Sequence, residues 1–379
     1  MGITAARGAV ALDRRSLATG VLSQRALNRA TLARQHLLSR SPLRAVDAIG
    51  QLAGMQSQAP LAPYVGLWSR LRDFEPGELA ALAEERQVAR LQLMRNTVHL
   101  VRARDGLDWA ALFGRLRTAE FNANFRAGLE GADLPTVLAE GGRLLAERPR
   151  SRAELGRLLA ERWPAAEPRS LGYAITLHLL LCQVPPRGVW GKGGGATWAP
   201  LSDWLGALPG TATGDAVVDA LVLRYLGAFG PASVADVQAW SGLTRLREVV
   251  ERLPVQLLRG PADQALYDLP DAPRPAEDTP APPRFLPEYD NLLLSHADRS
   301  RVIPHARPVP LPPGNGATGG TFLIDGRWQG IWQLRDQLLR IRPFTRLGAE
   351  DRDALLAEAA GLGAFIAPQA AHDIVLDEP

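Results

Sequence analysis

The chain is short of cysteine and of lysine. Cys182 is its one cysteine, which excludes an intrachain disulfide and a cysteine-rich metal centre. Lys192 is its one lysine, so almost all positive charge rests on arginine, the side chain best shaped for bidentate contacts to phosphate. A GC-rich genome produces the same bias, and the net charge is only +3, so arginine favours a nucleic-acid partner weakly. No stretch approaches the roughly 18 apolar residues that a membrane helix needs. In the first 25 residues, Asp13, Arg14 and Arg15 interrupt any signal-peptide core, and this segment reads as a disordered or non-native arm. A cytoplasmic protein is expected.

Familiar catalytic signatures are missing as well. The glycine run around Lys192 lacks the Walker spacing, and there is no GxSxG elbow. His178 and Cys182 stand four apart on an expected helix, a metal-compatible spacing. Two ligands do not make a zinc site, however, and "LHLLLC" reads as core. No metal and no cofactor are expected.

What is present is a repeating layout. The 379 residues, 46% hydrophobic, suffice for two or three units. In the third unit, residues 211–270, helical periodicity runs through Leu221, Tyr225, Leu226 and Phe229 to the stop at Gly230-Pro231. Ser233 and Asp236 then form a capping-box pattern, Gly242 ends the second helix, and Thr244 starts a third. The runs "VQLLR" and "ALYDL" read as a hairpin. Three helices and a hairpin describe a winged helix-turn-helix.

Residues 118–210 repeat this order, with Ser151 and Glu154 as a capping box and a glycine-rich wing at Gly191–Gly195. Residues 26–117 read as a third copy whose hairpin turns at Arg95-Asn96, with Leu91 and Leu93 facing Val98 and Leu100. After a proline-rich connection, residues 271–379 alternate like strands and end in a helix, a mixed α/β region. The expected fold class is α+β, mainly helical, with tandem winged-helix modules and a C-terminal β-containing piece. Such modules line up along a nucleic acid, though they also serve in protein contacts.

One stretch, "MQSQAP", stands out by geometry. Residues two apart diverge by about 200° in a helix but point the same way in an extended segment. Pro60 disfavours helical backbone at Ala59, so Gln56 and Gln58 present two amides toward one point. Read from composition alone, they serve equally well as loop anchors.

Four motifs, "LAGMQSQAPLAPYVGLWSRL", "RLQLMRNTVHLVRARD", "RYLGAFGPASVADVQAWSGL" and "FLPEYDNLLLSHADRSRVI", occur in the order found in the bacterial tandem winged-helix family of the AlkZ and YcaQ DNA glycosylases. The chain resembles that family from about Leu27 to its C-terminus. The resemblance implies a monomeric, monofunctional enzyme that excises alkylated (N7 or N3) purines from double-stranded DNA, with crosslinked purines among the substrates of some members. It implies Gln56 and Gln58 as the catalytic pair, in the pattern of the AlkZ-like branch, while Ser57 departs from the aliphatic middle residue of the motif.

A purine alkylated at N7 or N3 is cationic, so it leaves as a neutral base with little acid assistance, and two amides suffice. In the expected arrangement their oxygens hold a water beneath C1′ and their NH₂ groups are anchored. Motif position and donor chemistry make Arg95, His99, Asn291, His296 and Arg299 the candidate phosphate or lesion contacts. The alternative is a non-enzymatic winged-helix DNA-binding protein, a transcription factor or a lesion-shielding protein. It calls for a strongly basic recognition helix, and "TRLREVVERL" is mixed in charge.

Overall fold

In the computed structural model, which describes residues 21–206, 214–304, 307–308, 319–335, 337–368 and 373–379, helices combine with three β-sheets in an α+β fold. Of the expected N-terminal arm, residues 1–20 lie outside the described residues. Ser23 already caps the helix Gln24–Arg34, its side chain accepting a 3.0 Å hydrogen bond from the Ala26 N–H, so folded chain starts ahead of residue 26. Among the described residues no helix is long and apolar enough to cross a membrane.

The first sheet has six antiparallel strands: β1 (Met55–Gln56), β2 (Val88–Gln92), β3 (Val98–Arg102), β4 (Arg150–Ser151), β5 (Leu181–Val184) and β6 (Thr197–Pro200), in the order β1-β3-β2-β5-β6-β4. It joins the first two sequence units, because β2 pairs with β5 at Arg90 and Gln183.

Two local expectations are corrected here. The β2–β3 hairpin turns through three residues, Met94-Arg95-Asn96, closed by Leu93 N–H donating to the Thr97 carbonyl at 3.1 Å. One extra loop residue slips the register by one and exchanges the faces. Leu91 therefore lies opposite His99, and Leu100 opposite Arg90. The helix expected to carry both His178 and Cys182 is Pro168–His178, and Cys182 lies in β5. Its all-apolar run gave no periodicity by which to tell a buried strand from a helix.

In the third unit the helices Asp215–Phe229, Val234–Ser241 and Arg247–Arg252 precede a hairpin of β7 (Gln256–Arg259) and β8 (Ala265–Asp268), with the third helix starting later than Thr244. Both halves of the Ser233/Asp236 capping box are formed, and Gly242 closes its helix at φ +78°, a backbone region that favours glycine. The C-terminal sheet has the order β13-β12-β11-β10-β9, built from β9 (Arg284–Leu286), β10 (Gly320–Ile324), β11 (Arg327–Arg335), β12 (Leu338–Pro343) and β13 (Asp373–Leu376). The helix Ala349–Ile366 buries Leu355, Ala359 and Leu362 against this sheet.

The chain leaving β9 returns to the first sheet, and a buried ion pair holds it there. Arg70 donates through both terminal nitrogens to Asp290, at 2.9 Å each, with both side chains almost wholly buried. Asp290 also accepts from the Leu292 N–H at 2.9 Å, which places Asn291 beside Gly54. Removing one partner of a buried pair leaves an uncompensated charge. Asp290→Ala is expected to destabilise the protein by about 3–5 kcal/mol in chemical denaturation, the range for such breakage. A change within about 0.5 kcal/mol, typical of surface sites, would show that Arg70 does not depend on this carboxylate.

Candidate active site

The motif "MQSQ" enters the sheet as its edge strand. Gln56 pairs with His99 on β3, and the Ser57 N–H donates to the Val98 carbonyl at 2.7 Å. The extended backbone brings Gln56 and Gln58 to one place, where both line a cavity of about 480 Å³. Gln56 is buried and Gln58 half-buried.

The amides are anchored the opposite way to that expected. Arg95 Nη2 donates to Gln56 Oε1 at 2.7 Å, and the Val98 N–H reaches Gln58 Oε1 at 3.4 Å. A guanidinium and a backbone N–H only donate, so each amide must turn its oxygen to them. Each oxygen keeps a second lone pair for a further donor.

Arg95 is the hub of the site. Nη1 donates to the Trp240 carbonyl at 2.6 Å, and Nη2 also meets Asn291 Oδ1 at 3.2 Å. Asn291 Nδ2 in turn donates to the Gly54 carbonyl at 3.2 Å. The turn that carries Arg95 is strained: Arg95 and Asn96 sit at φ +53° and +57°. Gly242 allows it, since a Cβ there would stand 3.3 Å from both the nitrogen and the Cα of Arg95. Burial, and then the charge of Arg299, lower the Arg95 pKa to about 10, so the side chain stays cationic at neutral pH.

Another arginine, buried, lies under the motif. Arg90 Nε donates to Ser57 Oγ at 3.0 Å, and Nη2 to the Ser57 carbonyl at 2.9 Å. Burial, followed by the nearby Arg187, brings its pKa down to about 10. Serine at the middle of the motif is therefore matched by a donor that an aliphatic side chain could not accept.

The remaining predicted contacts divide. Asn291 belongs to the Arg95 network, and Arg299 is exposed close by, its Nε donating to the His296 carbonyl at 3.3 Å. His99 and His296 have almost no surface and do not reach the solvent. His99 Nδ1 lies 3.0 Å from the Thr97 carbonyl, and His296 Nε2 lies 3.1 Å from that of Phe229. Burial, with Arg95 second for His99 and Arg301 second for His296, pushes both pKa values down to about 3, which keeps both rings neutral. They pack the site from behind, and a direct contact with DNA is corrected for both.

The cavity has further walls that the sequence reading missed. Gln92, Asn96 and Gln183 come from the sheet and its hairpin, and Glu120 from the helix Gly114–Asn124. Opposite them, Arg152 lies 3.9 Å from the Tyr173 ring centroid and 5.6 Å from that of Trp198, while Tyr173 stacks on Phe125 at 3.7 Å. Gln92 and Asn96 fall inside a quoted motif and were open to notice. Arg152, Tyr173 and Trp198 come from three separate segments, and no local pattern links them. Lys192 does not line the cavity and pairs with Glu84. Cys182 is buried, which raises its thiol pKa to about 12.

This architecture is that of a solved structure. The chain is similar to the Streptomyces sahachiroi DNA glycosylase AlkZ with a TM-score of 0.75 and 19% identity, over 94% of this chain and all of that one. No curated protein matches the chain. The profile of the family described as "DNA glycosylase AlkZ-like" matches residues 49–365, which include the glutamine motif, the Arg95 turn, the aromatic wall and the Asp290-Asn291 segment. By that match the chain belongs to the AlkZ-like DNA glycosylases.

Proposed function

We propose that this DNA glycosylase is monofunctional and hydrolyses the N-glycosidic bond of purines alkylated at N7 or N3 in double-stranded DNA, including bulky or crosslinked adducts. The observation that carries the reading is the convergence of Gln56 and Gln58 on a 480 Å³ cavity beside a half-buried cation, Arg95, that forms no ion pair among the described residues. A cation held only by neutral oxygens suits an incoming phosphate, and with exposed Arg299 beside it the site has a place for the DNA backbone. Arg95 and Asn291 orient the Gln56 amide, and Gln58 stands nearer the solvent.

In this mechanism the second lone pairs of the two amide oxygens hold a water beneath C1′ and stabilise the positive charge that develops as the bond breaks. The alkylated purine departs as a neutral base, so no strong acid is required. Among the described residues no amine lies in the cavity wall to attack C1′, which favours direct hydrolysis and an intact abasic site over a Schiff base. The protein acts as a monomer and without a metal or cofactor. The cavity is larger than a flipped purine needs, and this room favours adducts that a tight base-flipping pocket excludes.

Gln56→Ala and Gln58→Ala are each expected to slow single-turnover release of 7-methylguanine by roughly 10- to 1000-fold, as loss of a preorganised polar group does. Affinity for undamaged duplex should hardly change in Gln58→Ala, whose side chain does not hold Arg95. Wild-type rates in both variants, or equal loss of folding and activity, would end the assignment. The wild-type product should break only with alkali or an abasic endonuclease, and a borohydride-trapped adduct would contradict the monofunctional chemistry.

Ser57→Ala tests the support beneath the pair. It removes the acceptor of Arg90 Nε, and urea denaturation should show a loss of about 1–3 kcal/mol, the cost of an unpaired buried donor. Ser57→Thr, which keeps the hydroxyl, should retain more of that stability. Equal stability of the alanine and serine proteins would mean that the Arg90 contact is dispensable.

A further inference from the structure

The cavity sets an electrostatic problem. A cationic purine and an oxocarbenium-like sugar are to be stabilised in a space bordered by Arg95 and Arg152. Burial lowers the pKa of both arginines, that of Arg95 to about 10, and a guanidinium is not deprotonated in proteins near neutrality. Two fixed cations repel a bound cationic purine and the positive charge that passes to the sugar as well as attracting a phosphate, and neutral amides offset that repulsion only in part.

One acidic side chain lines the cavity among the described residues, Glu120. It projects from the helix Gly114–Asn124, outside every motif of the first module, toward the hairpin turn that also carries Arg95. Asn96 Nδ2 donates to Glu120 Oε2 and so binds the carboxylate to the strained turn. The Oε1 atom makes no hydrogen bond among the described residues, and Glu120 is half-buried. The carboxylate also lies near enough to Arg152 for its charge to work against the burial of that guanidinium. Glu120 is thus held in place and forms no ion pair among the described residues, in the same cavity as both glutamines.

Resting on the reading of this cavity as the active site, we infer that Glu120 is a further catalytic residue, a fixed negative charge that selects cationic alkylated purines and stabilises the positive charge developing on the sugar. No proton moves to or from it and no bond forms. Asn96 is its positioning residue, and the left-handed backbone at Asn96 is what aims the amide.

The test compares binding of the full chain to two duplexes. One carries a pyrrolidine abasic analogue, whose ring nitrogen is protonated, and the other a neutral tetrahydrofuran abasic analogue. The wild-type protein should prefer the cationic duplex. Glu120→Gln keeps the shape and an oxygen for Asn96 but removes the charge. It should lose about tenfold of that preference, a modest fraction of a full charge pair, while binding the neutral duplex within about twofold of wild type.

An unchanged preference in Glu120→Gln, or equal loss of affinity for both duplexes, would overturn the inference. Thermal melting shows whether Glu120→Gln folds, and if it does not, Glu120→Asp against Glu120→Asn makes the same comparison of charge at constant shape. Release of 7-methylguanine by the wild-type protein is read separately. No release would sink the proposed activity, whereas release with an unaltered preference in Glu120→Gln would sink only the role of Glu120.

Discussion

The arrangement of the site depends on one half-buried guanidinium that has no carboxylate partner among the described residues. Arg95 carries its charge partly out of water and, among the described residues, meets only neutral oxygens, those of Gln56, Asn291 and Trp240. Each comes from a different part of the chain, so the edge strand, the segment after β9 and the end of the helix Val234–Ser241 must all arrive together. Leaving any of these oxygens out leaves a partly desolvated donor without that acceptor. A backbone strain of the kind seen at Arg95 and Asn96 persists only where such surroundings over-determine it.

Other buried charges act as fasteners around that centre. The Arg70–Asp290 pair fixes the approach of Asn291, and Arg34 with Asp268 joins the first helix to the β7–β8 hairpin, both pairs being nearly sealed from solvent. Pairs of this kind add little net stability against well-packed apolar residues, but they tolerate few alternative geometries. They accordingly specify which segments meet. The neutral histidines His99 and His296 have the same function at lower cost, each turned to a backbone carbonyl behind the cavity.

The cavity combines opposite electrostatic demands. Phosphate recognition wants cations, and excision of a cationic base wants the reverse. The two are separated in space: Arg95 enters from the strained turn with Arg299 nearby, while Arg152 lies 3.9 Å from the Tyr173 ring centroid and Glu120, the one carboxylate that lines the cavity among the described residues, accepts from Asn96 of the turn. A rigid sheet edge bearing two amides serves the bond that breaks. Preorganisation of this sort matters because a polar group already in position needs no reorganisation as charge develops.

Much of this was legible in the sequence because it is local. The capping box at Ser233, the order of helices and hairpin in the third unit, and the extended "MQSQ" segment followed by Pro60 all rest on neighbours within a few residues, and the structure has them. The motif order likewise pointed to the AlkZ-like family, to which the matched residues assign the chain. What tertiary structure alone decided was register, burial and partnership across long separations. A single extra residue in the Met94–Asn96 loop exchanged the faces of the hairpin. The histidines looked accessible by motif position and proved buried, and Ser57 acquired Arg90 as its donor. Glu120, Arg152, Tyr173 and Trp198 became neighbours of the glutamines only through the packing of the first sheet and its helices. Local backbone preference is written in adjacent residues, whereas the environment of a charge is set by every segment that packs against it.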